Sequence, residues 1–173
     1  MEFLKTLDRR RCVRSYRRAP LDKRKVQAIL DAALLAPSAG DLQAYRVVVV
    51  ENPETKAALV DAAHGQHFIA EAPMVLAFLA DPERSSAKYG QRGRLLFSLQ
   101  DATIAAAYAQ LSAADLGLAS CWVGAFDDGA VASAINAPND LRPIAIIPLG
   151  ETAEWPDRPP RRSGSELVVK ERF

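Results

Sequence analysis

Three apolar runs without alternation constrain this chain more than any other feature. They are residues 46–50 (Arg46-Val47-Val48-Val49-Val50), residues 74–79 and residues 142–150, the last with prolines near both ends. A strand with one wet face alternates polar and apolar residues, so continuous runs of this length predict strands buried on both faces. Helical patterns separate them. Residues 21–36 carry Val26, Ile29, Leu30, Ala33 and Leu34 on one stripe after the cap candidate Asp22. Asn52-Pro53-Glu54 opens a helix to about residue 63, with proline at its first position. Buried strands alternating with helices predict a sheet sandwiched between helices.

The longest helical segment is residues 92–116, apolar nearly all round and ended by Gly117, which implies burial in a core or a subunit interface. Residues 81–91 are polar and break the pattern, so they are expected as a surface excursion, a candidate lid or contact loop. Residues 118–126 read as a short extended piece and 127–135 as a short helix capped by aspartate. Residues 151–164 resemble a linker, and 165–170 recover strand character. A terminal apolar strand needs an edge to pair with, which a second subunit could supply.

With 173 residues, the chain is expected to form one domain, 1–173, that buries roughly two-thirds of its unfolded surface. Apolar and charged contents of 49% and 25% are those of a soluble globular protein. No run reaches the roughly 20 apolar residues of a membrane span, and residues 1–5 lack a signal-peptide pattern. Cys12 and Cys121 are too few and too distant in sequence for a disulfide framework. The chain therefore reads as cytoplasmic and reduced. His64 and His67 have no zinc-spaced partners and are expected at an exposed helix end. A nucleophile elbow, a Walker loop and a Gly-x-Gly-x-x-Gly turn are all missing.

Charge is distributed unevenly. Six arginines fall between Arg9 and Arg18, although the formal net charge is only +1. Guanidinium groups bind phosphate oxygens bidentately, so this cluster suggests a phosphate-bearing ligand. A solvated basic arm is the alternative.

The order of these pieces resembles the nitroreductase family of FMN-dependent oxidoreductases. The matching residues are Arg10-Arg11-Cys12-Val13-Arg14-Ser15-Tyr16, Ala36-Pro37-Ser38-Ala39-Gly40-Asp41-Leu42-Gln43-Ala44-Tyr45-Arg46, Leu116-Gly117-Leu118-Ala119-Ser120-Cys121-Trp122-Val123-Gly124-Ala125-Phe126, Pro148-Leu149-Gly150 and Pro159-Pro160-Arg161-Arg162. The resemblance implies an α+β fold with a central mixed sheet flanked by helices. It also implies an intertwined homodimer in which the C-terminal strand is exchanged and two FMN sites each draw on both chains. Arg10, Arg11 and Arg14, with Arg161 or Arg162, would hold the FMN phosphate and the polar edge of the flavin. Pro37, Ser38 and Ala39 would line the flavin from the other subunit, with Asp41 and Gln43 nearby. Val123 and Gly124 would lie beside the ring, because glycine lets a backbone N–H approach closely. For Trp122 and Phe126 core packing is the default.

Two positions depart from the family pattern. Cys12 stands where serine is usual, and a thiol is a weak donor to phosphate. Asp41 stands where asparagine is usual. If it faces the flavin, its charge lowers the reduction potential; if it makes an Asx-type turn, which is the favoured reading, nothing changes.

The implied activity is reduction of FMN by NADH or NADPH, followed by electron transfer to a nitroaromatic, quinone or flavin-type acceptor. No catalytic side chain, metal, membrane or nucleic acid is required, since the cofactor carries the chemistry. Alternatives are a specialised flavin enzyme of the same fold (dehalogenating, flavin-cleaving or peptide-oxidising), a nucleic-acid binder using the basic arm, and a scaffold with a degenerate FMN site.

Overall fold

A computed structural model describes residues 2–172. Helix α1 (Phe3–Arg9) and helix α2 (Lys23–Leu34) precede a 3-10 turn at Ala39–Asp41 and strand β1 (Tyr45–Val50). Next come α3 (Pro53–Ala62), α4 (Phe68–Glu71) and β2 (Met74–Ala80). Helix α5 (Pro82–Arg92) leads through a π-helical turn, Gly93–Phe97, into α6 (Ser98–Asp115). The rest is β3 (Ala119–Ser120), α7 (Asp128–Ala134), β4 (Arg142–Gly150) and α8 (Gly164–Leu167).

The four strands are ordered β1-β2-β4-β3, and every neighbouring pair is antiparallel. A parallel bridge between Cys12 and Ser120 makes the arrangement mixed at the β3 edge. Strand β2 is buried at every residue, as its unalternating sequence requires. One face of the sheet packs on α2 and α6 around Ile29, Leu76, Phe78, Ala105 and Ile147. The other packs on α3 and α7 around Leu59, Val75, Val131 and Ile146. Trp122 and Phe126 are half-buried against these two cores.

The caps follow the sequence. Asp22 accepts from the Arg24 N–H at 2.8 Å, Asn52 from Glu54 and Thr55 at 2.8 and 3.0 Å, and Asp127 from Ala130 at 2.7 Å.

Two expectations need correction. Residues 81–91 form helix α5, with Asp81 accepting from the Arg84 N–H at 3.0 Å and Pro82 in the first turn. The long helical segment expected over residues 92–116 is present: past the chain reversal at Gly90 (φ 57°, ψ −140°) the helix runs through the π turn and α6 to Asp115, with Ile104, Ala107 and Leu111 half-buried and Tyr108 exposed. Residues 165–170 form no strand. Ser163 and Glu166 close a capping box, and the turn α8 forms where no strand edge is adjacent.

Candidate functional site

The arginine-rich segment is a clamped arm. Beyond α1, the Val13 N–H donates to Ser120 O at 2.9 Å and the Arg17 N–H to Glu151 O at 2.8 Å. Between them, buried Tyr16 donates its hydroxyl to Val13 O at 2.8 Å, with Pro148 O at 3.3 Å. Burial pushes the phenol pKa upward and keeps that proton in place. Gly150 makes this seat possible: a Cβ there would lie 2.7 Å from Tyr16 Cδ1 and 3.0 Å from Pro73 Cδ.

Clamping the backbone leaves the arginine side chains facing a cleft of about 490 Å³. Arg10, Arg11, Cys12 and Arg14 line one wall, and the returning segment 156–161, including Arg161, lines the other. Asp157 is the one acid in this lining. Two contacts hold the returning segment down, an Arg158–Asp8 ion pair at 2.6 Å and the Arg9 guanidinium 5.1 Å above the Trp155 ring. Arg11 donates to Asp8 O and, at 3.0 Å, to Arg10 O, while its buried Nε has no partner. An orphaned guanidinium N–H beside further cations is the donor set an oxyanion satisfies. Arg162 does not line this cleft; it reaches Glu166 at 3.6 Å within the exposed tail.

Cys12 lies in this cleft, half-buried, with Arg10 Nη1 at 3.9 Å from its sulfur. The neighbouring Cys121 side chain lowers its pKa to about 5 against the opposing effect of burial. The Trp122 N–H and the charges of Arg10 and Arg14 add to the lowering. Cys121 shifts upward, because of the adjacent Cys12 side chain and its own burial, and its thiol donates to Trp122 O at 3.7 Å.

Pro37, Ser38 and Ala39 line a different cleft, of about 540 Å³, with Phe97, Leu99, Asp101 and Ile104 on its other walls. Its loop has an unusual backbone: Gly40, Asp41 and Gln43 have φ values of 58°, 58° and 45°. Asp101 supports it from α6, almost fully buried, accepting from the Ala39 N–H at 2.9 Å and the Ala44 N–H at 3.4 Å. The Ser38 hydroxyl accepts from the Gln43 N–H at 2.9 Å. Asp41 and Gln43 are not in the cleft lining; the Gln43 side-chain amide donates to the Asp41 carboxylate and, at 2.9 Å, to Asp41 O. Helix α5 covers this loop, since Arg84 donates to Leu42 O and a Cβ on Gly40 would fall 2.3 Å from Tyr89 Oη.

Val123 is buried, and its N–H and C=O both pair with Ile146, at 3.0 and 2.9 Å. That commits its backbone to the sheet. Gly124 follows it, exposed, with only the Trp122 ring within 4 Å of a built Cβ. His64 and His67 are exposed, and among the described residues no cluster of three metal-ligating side chains occurs.

The chain therefore presents two separate clefts. The arginine cleft adjoins β3 at one edge of the sheet, and the 37–39 loop leads into β1 at the other. Two residues escaped sequence reasoning. Asp101 carried a usable signal, an acid within an otherwise apolar helix. Cys121 carried none, because its partner lies at position 12.

The nitroreductase family model matches residues 7–67 and 63–151. A Thermus thermophilus protein named NADH dehydrogenase is 34% identical over 84% of this chain and 84% of its own length. A Bacillus subtilis FMN reductase [NAD(P)H] is 27% identical over 92% of this chain and 70% of its own. The solved structure of the oxidoreductase YcnD from Bacillus subtilis superposes with a TM-score of 0.91 at 26% identity, covering 100% of this chain and 75% of that one. The family model and the 34% identical relative go beyond fold likeness: the chain belongs to the nitroreductase family.

Proposed function

We propose that this protein is an FMN-dependent oxidoreductase that takes electrons from NADH or NADPH and delivers them to a nitroaromatic, quinone or flavin-type acceptor. The cleft of Arg10, Arg11, Arg14 and Arg161 carries this reading. Its cations and the partnerless Arg11 Nε suit a dianionic phosphate, each charge-assisted hydrogen bond being worth about 1.5–3 kcal/mol. Family membership and the FMN reductase among the relatives support the same assignment.

Bound FMN supplies the two-electron carrier between nucleotide and acceptor. The chain's own task is to hold and shield. The arginines fix the phosphate end, and Gly124 offers a backbone N–H with no side chain in front of it. The 37–39 loop, pinned by Asp101, contributes an apolar wall with fixed backbone geometry.

The protein works as a homodimer in this account. The two clefts adjoin opposite sheet edges, so one chain's arginine cleft is completed by the other chain's 37–39 loop. Exposed Leu34, Leu35, Leu95 and Tyr108 supply apolar surface for that contact, as do Leu167, Val168 and Val169 in the tail.

The test is the visible spectrum of freshly purified protein, repeated anaerobically with NADH and then with NADPH. A flavin band that bleaches with either nucleotide is expected. A colourless protein that takes up no added FMN contradicts the proposal.

A further inference from the structure

Cys12 and Cys121 are the only cysteines, and they are 109 positions apart, yet the fold brings them together. The parallel bridge aligns Cys12 with Ser120, and the Val13 N–H closes on Ser120 O at 2.9 Å. Cys121 follows Ser120 directly, so the two cysteines sit at one bridge, and disulfides need Cα separations of about 4.4–6.8 Å. Cys12 also packs against the core cluster that contains Cys121. Both are free thiols with unequal access: Cys12 is half-buried and opens on the arginine cleft, whereas Cys121 is 1% exposed behind it. Cationic, partly open surroundings are those of reactive cysteines.

We propose that Cys12 and Cys121 form a reactive dithiol that hydroperoxides convert to an intramolecular disulfide and dithiol reductants reopen. The Cys12 thiolate attacks the distal oxygen of the peroxide, the O–O bond breaks, and a sulfenic acid and hydroxide form. The Cys121 sulfur then attacks the Cys12 sulfur, and the sulfenic oxygen leaves. The Cys121 proton and the hydroxide complete the balance: two thiols and one hydrogen peroxide become one disulfide and two waters. Burial of Cys121 suits a resolving thiol, which must meet Cys12 and not the solvent. The product ties the basic arm covalently to the segment following β3. Cys12 lines the cleft assigned to the FMN phosphate, so the peroxide reaches it beside or in place of that group.

The test treats the protein as purified with equimolar hydrogen peroxide, then unfolds it in alkylating reagent for intact-mass and non-reducing peptide analysis. The expected species is monomeric, two hydrogens lighter, with neither cysteine alkylated and the Cys12 and Cys121 peptides linked. Dithiothreitol restores two alkylatable thiols. In Cys121→Ser, Cys12 is expected to stop at a sulfenic acid that dimedone traps. Peroxide-treated wild type carrying sulfinic or sulfonic Cys12 with free Cys121 overturns the proposal. So does a disulfide between two chains, or two cysteines left reduced. The wild-type peptide map decides the matter even where a variant does not fold.

Discussion

At the scale of single residues, the site rests on groups whose states are set by immediate neighbours. Cys12 is the clearest case. Its pKa is lowered to about 5 chiefly by the Cys121 thiol, so it is a thiolate above that value and a thiol below it. Alkylation of Cys12 by iodoacetamide should rise through pH 5 and be flat near neutrality. Replacing Cys121 with alanine removes the principal cause and should move the midpoint upward; an unchanged profile would show that the arginines alone set it. Asp101 works differently, as a buried acceptor for two backbone N–H groups of the 37–44 loop. Asp101→Ala leaves those groups unpaired and should cost about 2–4 kcal/mol in urea unfolding. The arginines were legible because charge density is visible in a sequence. The Cys12–Cys121 pairing was not, because contact between residues 109 apart is decided by sheet topology.

At the scale of elements, glycines and caps decide where the site residues point. Gly150 admits the Tyr16 ring, and Tyr16 fixes the arm that carries the arginines. Gly150→Ala should displace that ring, cost about 1–3 kcal/mol by overpacking, and weaken FMN retention in the same variant. Equal melting temperatures for variant and wild type would refute that coupling. Strands β2 and β4 and helices α2, α3 and α7 were readable from unalternating apolar runs and side-chain caps, whereas β1, read as buried on both faces, is an edge strand with Arg46 and Val49 exposed. Helix α5 was obscured by its polar composition, although Asp81-Pro82 is a start signal. The start of the long helix was legible, and its π turn sits where Gly93 packs on Ser85; a Cβ there would lie 2.5 Å from Ser85 O. The tail misled because apolar β-branched residues favour a strand only where an edge is available.

At the scale of the whole molecule, α6 presents Ile104, Ala107, Tyr108 and Leu111 on one incompletely buried face, and α2 leaves Leu34 64% exposed. A dimer that covers this surface explains both. Tyr108→Glu together with Leu111→Glu should shift sedimentation from dimer to monomer, with FMN lost in parallel. Retention of FMN by a well-folded monomer would contradict a site built from two chains.

The clamped arginines are expected to read a phosphate. The most direct test is the affinity of apoprotein for FMN and for riboflavin, which differ in the phosphate alone, measured by quenching of flavin fluorescence. Two charge-assisted hydrogen bonds correspond to about 10²–10⁴-fold in affinity, so FMN should bind more tightly by at least the lower figure. Arg11→Ala should narrow that preference by about 10–100-fold. Equal affinity for the two flavins would mean that the arginine cleft holds something else.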